Sequence, residues 1–258
     1  MGGNVKSIFC AAIFLCVLFG SNNVMLRLIR ESVTPHNVSV LSDVALAHSA
    51  YLGYTLDRFI ADKNVWILIR WSMEMKRYPR FGDRIMVETW AVDFTRFRAT
   101  RNFRLKDEQG EVLGGISSQW IFFDLSTRRP AIPTEEMIQN YGTNPTYALS
   151  FDLEKLQQEG PMTLLKTLEI RRSDIDAMNH VNNKRYVEWM SEVVPESIYA
   201  NKKIQKMEIA YLKEAYLGNA VQSGCTPLEN QGPDTCFFHR ITGPDGQTVH
   251  ANGKTYWI

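Results

Sequence analysis

Two glycine turns, repeated at one spacing in the two halves of the chain, constrain its fold more than any other feature. Trp71–Trp90, WSMEMKRYPRFGDRIMVETW, matches Lys206–Ser223, KMEIAYLKEAYLGNAVQS. Gly82, Asp83 and Ile85 stand opposite Gly218, Asn219 and Val221, an offset of 218 − 82 = 136. Downstream, DEQGEV around Gly110 matches PDGQTV around Gly246, again 246 − 110 = 136, and Val112 falls opposite Thr248. Both patterns read as hairpin turns between alternating strands. A constant offset across two turns predicts one antiparallel unit written twice.

Apolar helices repeat as well. Val33–Ala47 resembles Asp176–Met190, with Asn37-Val38 opposite His180-Val181 at an offset of 180 − 37 = 143. Each half therefore reads as strand, turn, long apolar helix and several antiparallel strands. Such a helix is best buried when the sheet curls around it, which predicts an α+β architecture. The expected organisation is an apolar N-terminal segment over 1–24, a first unit over 25–140, a linker over 141–165 rich in Asn, Gly, Pro, Ser and Gln, and a second unit over 166–258.

A net charge of +1 over 258 residues gives no basic excess, so nucleic acid is not the expected partner. The four cysteines, at 10, 16, 225 and 236, form no CxxC and no Cys/His set with metal-ligand spacing, and they give no disulfide framework. Neither a metal nor a cofactor is expected. Ile8–Phe19 is an apolar run behind Lys6, with no acid before Glu31. It is short for a bilayer span and fits the hydrophobic region of a signal peptide, although no small-x-small cleavage site follows. Met25 is an alternative start. Membrane contact is expected only where that run is retained.

Arg171–Pro195, RRSDIDAMNHVNNKRYVEWMSEVVP, places polar chemistry at the mouth of an apolar helix. Asp174, Asp176, Asn179 and His180 crowd into a turn, and Asn182 and Asn183 are candidate N-caps. Tyr186, Val187, Trp189, Met190, Val193 and Val194 then recur at helical spacing. Such a mouth can bind a polar head group and polarise a carbonyl. Each residue also has a plainer role: Asp176 and Asn179 as turn residues, His180 as a satisfied buried histidine, Asp174 as a partner of Arg171 or Arg172. Val33 and Asn37 replace Asp176 and His180 in the first half, which assigns any chemistry to the second.

The blocks WSMEMKRYPRFGDRIMVETW, SSQWIFFDLSTRRP, RRSDIDAMNHVNNKRYVEWM and YLKEAYLGNAV occur in the order found in the acyl-ACP thioesterases, which this chain resembles from about Arg30 to Ile258. The resemblance implies a double hotdog fold, an acyl chain housed in the N-terminal half and hydrolysis in the C-terminal half. Residue by residue, it implies catalytic roles for Asp176, His180 and Glu214. Met178 stands where plant members carry Asn, with Asn179 beside it as a supporting amide, and Ala215 stands where they carry Cys. A cysteine nucleophile is therefore not expected, and water attack is. Backbone N–H groups at the Asn182 helix start are expected to hold the oxyanion.

The implied partner is acyl carrier protein bearing a 4'-phosphopantetheine-linked acyl chain, met by cations among Arg77, Arg80, Lys202, Lys203 and Lys206; a homodimer is a further expectation. Location would be cytoplasmic for a bacterial chain and the plastid stroma for a plant or algal one, with a signal or anchor left open by the N-terminal run. Two alternatives stand beside acyl-ACP hydrolysis: an acyl-CoA thioesterase and a non-catalytic acyl-thioester binding protein. Trp71, Met73, Met75 and Trp120 read as core positions, some of them bordering an acyl slot.

Overall fold

The computed structural model describes residues 16–20, 23–29, 39–80, 82–148, 156–157, 160–176, 179–228 and 235–258. The first half runs β1 (Cys16–Gly20), β2 (Asn23–Ile29), α1 (Ser39–Tyr51), α2 (Leu56–Ala61), β3 (Asn64–Met75), β4 (Arg84–Thr95), β5 (Arg98–Lys106), β6 (Val112–Asp124), β7 (Arg129–Pro130) and α3 (Glu135–Tyr141). The second runs β8 (Leu164–Glu169), a 3-10 turn at Arg172–Asp174, α4 (Asn183–Ser191), α5 (Glu196–Tyr199), β9 (Ile204–Tyr211), β10 (Ala220–Leu228), β11 (Thr235–Thr242) and β12 (Val249–Trp257).

All strands belong to one antiparallel sheet ordered β1-β2-β4-β5-β6-β3-β9-β12-β11-β10-β8, with β7 on β6. The order of the first half, β2-β4-β5-β6-β3, is mirrored in the second, β8-β10-β11-β12-β9, so the sequence repeat is a repeat of topology. β3 and β9 join the halves, with Met73 opposite Met207. The α+β double hotdog is the architecture found.

The 136-residue offset holds down to single hydrogen bonds. Gly82 and Gly218 have φ of +86° and +88°, a conformation open to glycine and costly for a residue with a Cβ. Beside them the Asp83 amide donates to the Arg80 carbonyl and the Asn219 amide to the Tyr216 carbonyl. Gly110 and Gly246 are also left-handed, and each donates to a carbonyl three residues back, on Asp107 and Gly243.

One apolar core spans both halves. It includes Val44 and Ala45 of α1, Trp71, Met73 and Met75 of β3, Val187 and Met190 of α4, and Met207 and Ile209 of β9. The two helices thus lie against a common sheet. A Cβ on Gly253 of β12 would come within 2.8 Å of the Met190 sulfur and 2.9 Å of the Glu208 carbonyl, so glycine there lets α4 seat closely. A smaller cluster of Tyr54, Phe59, Phe122, Met137 and Tyr141 closes the end of the first half.

Some boundaries differ from the sequence expectation. α1 runs on to Tyr51, beyond the expected end at Ala47, while Val33 and Asn37 lie outside the described residues. α4 stops at Ser191, although the apolar spacing continues to Val194. Pro195 is the cause, since the residue before a proline is pushed out of the helical region. Part of the segment read as a linker is packed: Leu156 is buried, and its carbonyl accepts from Asn252 Nδ2 at 2.9 Å. The N-terminal apolar run lies outside the described residues as far as 15; its end forms β1, paired with β2. Among the described residues, no helix is long and apolar enough to cross a membrane.

Candidate active site

The turn before α4 is tied together by backbone. Asp176 and His180 close a loop in which the Asp176 amide donates to the His180 carbonyl at 2.8 Å, while Asp176 Oδ1 accepts the His180 amide at 3.2 Å. Asn179 takes a left-handed φ of +62°, and its amide donates to the Asp176 carbonyl. Asn tolerates that conformation better than most residues do, which gives the turn its shape. The Asn179 side chain is exposed. Met178 lies outside the described residues.

Buried Asp174 anchors the turn from behind. Its carboxylate accepts the Arg171 amide at 2.7 Å and pairs with Arg185 Nε at 3.1 Å. The ion-pair partner is thus Arg185, one helical turn into α4, rather than the neighbouring Arg171 or Arg172 side chains. Asn182 caps α4 through Oδ1, which accepts the Lys184 amide at 3.1 Å. The Asn182 and Val181 amides are also used, on the carbonyls of Asp174 and Ala215. The Asn183 amide remains as a helix-start donor with no partner among the described residues.

Glu214 approaches from the loop after β9. His250 Nδ1 meets the Lys213 carbonyl at 3.0 Å, and the Val181–Ala215 bond ties the same loop to the α4 turn. Glu214 Oε1 then sits 3.4 Å from His180 Nδ1, with both side chains about two-fifths exposed, at 43% and 38%. The other Glu214 oxygen accepts the Tyr216 hydroxyl at 2.6 Å, and that hydrogen bond pushes the Tyr216 pKa up. The Tyr216 ring meets the His180 ring edge-on at 5.6 Å. Under the site, burial pushes the Tyr186 phenol up to about 12, against a hydrogen bond with the Ala215 backbone and with the added influence of the Glu214 charge.

The residues expected to act together therefore do meet. Glu214 meets the His180 ring and Asp176 its backbone amide, at the N-terminal mouth of α4. The described thiols lie elsewhere: Cys225 Sγ contacts the Val193 carbonyl beyond the other end of α4, and burial pushes its pKa up to about 11. Ala215 is buried beside Glu214. The sequence reading missed Tyr216 and the cross-repeat chain in which Trp71 Nε1 donates to the Tyr211 hydroxyl at 3.0 Å, which donates to the Asn183 carbonyl at 3.1 Å. That chain carries the first repeat to the α4 mouth, and no short motif announces it.

A small cavity opens between α1 and the sheet of the first half, lined by Ser42, Leu68, Trp71, Phe103, Ile116, Ser118 and Trp120. At about 10 Å³ it holds roughly one water. Trp71 and Trp120 both border it, and Trp120 Nε1 donates to Ser118 Oγ at 2.8 Å. Of the cations expected to meet a carrier protein, Arg77 pairs with Asp107 at 2.5 Å and Lys206 with Glu208 at 2.8 Å, while Lys202 donates to Thr235.

Comparison with known proteins places this geometry. Residues 30–141 match the acyl-ACP thioesterase N-terminal domain and residues 158–258 its C-terminal domain. Oleoyl-acyl carrier protein thioesterase 1 of Arabidopsis thaliana, described as chloroplastic, is 27% identical over 85% of this chain and 69% of its own length. The chloroplastic palmitoyl-acyl carrier protein thioesterase of the same plant is 30% identical over 88% of this chain and 58% of its own. This chain thus spans about six- to seven-tenths of those relatives. Among solved structures, an acyl-ACP thioesterase from Bacteroides thetaiotaomicron superposes with a TM-score of 0.81 at 23% identity, covering 92% of this chain and 98% of that one. The 12:0-ACP thioesterase from Umbellularia californica gives 0.81 at 22%, covering 93% and 98%. The two domain matches together span most of the chain, and it belongs to the acyl-ACP thioesterase family of thioester hydrolases.

Proposed function

We propose that this chain hydrolyses fatty acyl thioesters of acyl carrier protein by water attack at the His180–Glu214 pair. The carrying observation is the 3.4 Å approach of Glu214 to His180 Nδ1 at a helix mouth that has no thiol among the described residues. With Nδ1–H turned toward Glu214, Nε2 is the imidazole nitrogen left to take a proton from the attacking water. General base catalysis of this kind contributes about 10²–10⁴-fold. Asp176 shapes the turn through Oδ1, and its charge favours the imidazolium that forms. The Asn183 amide is the donor available to the developing oxyanion. The thiolate leaves with little need of a proton.

The acyl chain enters the first repeat beside Trp71 and Trp120. The cavity of about 10 Å³ is too small for it, so these side chains swing to admit it. Hydrolysis of dodecanoyl-, palmitoyl- and oleoyl-carrier protein, followed by free thiol release, tests the reading. Turnover of the acyl-CoA thioesters alone would favour a CoA thioesterase. A stable uncleaved complex with acyl carrier protein would favour a binding protein.

A further inference from the structure

The end of the sheet that borders the Glu214 loop carries a row of cations from the first repeat. β9 runs antiparallel to β3, so the loop that follows Tyr211 emerges beside the N-terminal end of β3. The turns at that end are bound to one another. The Leu125 amide donates to the Lys63 carbonyl at 2.8 Å, the Phe122 amide to the Phe97 carbonyl at 2.8 Å, and the Asp124 backbone stands opposite that of Arg129 in the β6–β7 ladder. Lys63, Arg96, Arg98, Arg128 and Arg129 stand on these turns, all exposed. None of the five has an ion-pair partner among the described residues.

The contrast with the opposite end of the same half is sharp. There Arg77 pairs with Asp107, Arg84 with Glu108, and Arg104 and Lys106 with Glu88. At the Glu214 end the nearby acids are engaged otherwise: Asp62 with Arg58, and Asp124 with the amides of Ser126 and Thr127. Backbone conformation adds a second observation. The non-glycine residues with positive φ among those described are Lys63, Arg96, Arg128 and Asn179. Glycine would relieve the first three, yet each position holds a cation in a conformation that is costly for a residue with a Cβ. The Arg128 charge also reaches Tyr216, opposing the upward push of Glu214 on that phenol.

We propose that Lys63, Arg96, Arg98, Arg128 and Arg129 form the docking surface for an acidic carrier protein, which delivers its prosthetic arm across Tyr216 to His180. This rests on the thioesterase reading for the identity of the cargo. It moves the docking surface away from Arg77, Arg80, Lys202, Lys203 and Lys206, and gives the two repeats separate tasks: the first receives the protein, the second cuts the thioester. Charge complementarity of this kind acts on encounter and register and is screened by salt.

The test uses the full chain, an Arg96→Glu/Arg128→Glu variant, and an Arg80→Glu/Lys203→Glu control at the opposite end of the sheet. Each is assayed on dodecanoyl-carrier protein and on dodecanoyl-N-acetylcysteamine, which lacks protein and phosphate. Calorimetric titration with holo-carrier protein is run alongside. The rim variant should raise KM for the carrier-protein substrate at least tenfold at low salt, with kcat retained. It should lose holo-carrier binding, and turnover of the small thioester should be unchanged. An unchanged KM and unchanged binding overturn the proposal, as does equal loss in the control. A fall on both substrates would show that the rim acts on the site itself. Rim-dependent sedimentation with phosphatidylglycerol vesicles without a carrier effect would assign the surface to a membrane. A parent that cleaves neither substrate would sink the hydrolase reading, while the titration would still decide the rim.

Discussion

Ser72 and Glu208 lie directly opposite each other in the β3–β9 pairing and are also the same position of the two repeats, 208 − 72 = 136. The pseudo-twofold axis relating the halves therefore passes between them. Arg70 and Lys206, likewise equivalent at 206 − 70 = 136, both reach Glu208, at 3.5 and 2.8 Å. One carboxylate on the axis thus holds a cation from each repeat.

Removing that carboxylate should be costly, because the Arg70 and Glu208 side chains are only about 10% and 9% exposed. Glu208→Ala should lower unfolding stability by about 3–5 kcal/mol, the usual cost of breaking a buried ion pair by removing one member. Urea unfolding measures it. A loss below about 1 kcal/mol would mean that water or a rearranged Arg70 replaces the pair.

Glu214→Gln should leave the fold intact and lower kcat by about 10²–10⁴-fold with KM little changed. Asp176→Asn keeps an Oδ1 acceptor for the His180 amide and should lower kcat by at least about tenfold through loss of its charge. Full activity of a folded Asp176→Asn protein would leave Asp176 as a turn residue alone.

Two buried histidines predict acid sensitivity. Burial lowers the His48 and His239 pKa values to about 3, with the Arg101 charge adding to the effect at His48. The unfolded chain takes up these protons near pH 6.5 and the folded chain near pH 3, so their contribution is complete above about 6.5 and is lost as pH falls. Each histidine should cost about 1.4 kcal/mol per pH unit between those limits. Unfolding free energies from pH 7 to 4 should therefore have a shallower slope in His239→Asn than in the parent.

Trp120→Ala should widen the slot beside α1 and shift the released fatty acids toward longer chains. Gas chromatography of the products reads this directly. A profile unchanged in length but lower in amount would make Trp120 a packing residue and place the chain elsewhere.

Thiol reagents should leave the folded enzyme active. Cys225 and Cys236 are buried, and Cys225 is held protonated by its surroundings. Rapid inactivation that substrate prevents would contradict water attack.

The repeat was legible because a left-handed glycine is a residue-level mark: Gly82, Gly110, Gly218 and Gly246 can be counted in sequence and recur as turns. His180 and Asn182 were legible for a similar reason, since a polar turn before an apolar period announces a helix start. The cationic rim was not. Arg96 and Arg128 are 32 residues apart (128 − 96), and only the pairing of β5 with β6 brings their turns together. Arg185 as the partner of Asp174 likewise depends on packing that periodicity does not encode, whereas the end of α4 at Ser191 follows from Pro195 overriding the apolar period.

The β3–β9 seam also sets a schedule for synthesis. β3 is a twelve-residue strand whose outer edge, among the described residues, bonds to β9, a strand that leaves the ribosome about 136 residues later. At 5–20 residues per second, that edge stays bare for roughly 7 to 27 seconds on each nascent chain. An open strand of this length is a template for pairing with the wrong neighbour. The first half should therefore aggregate when made alone, and translation speed between the halves should govern how much of the chain reaches its native state.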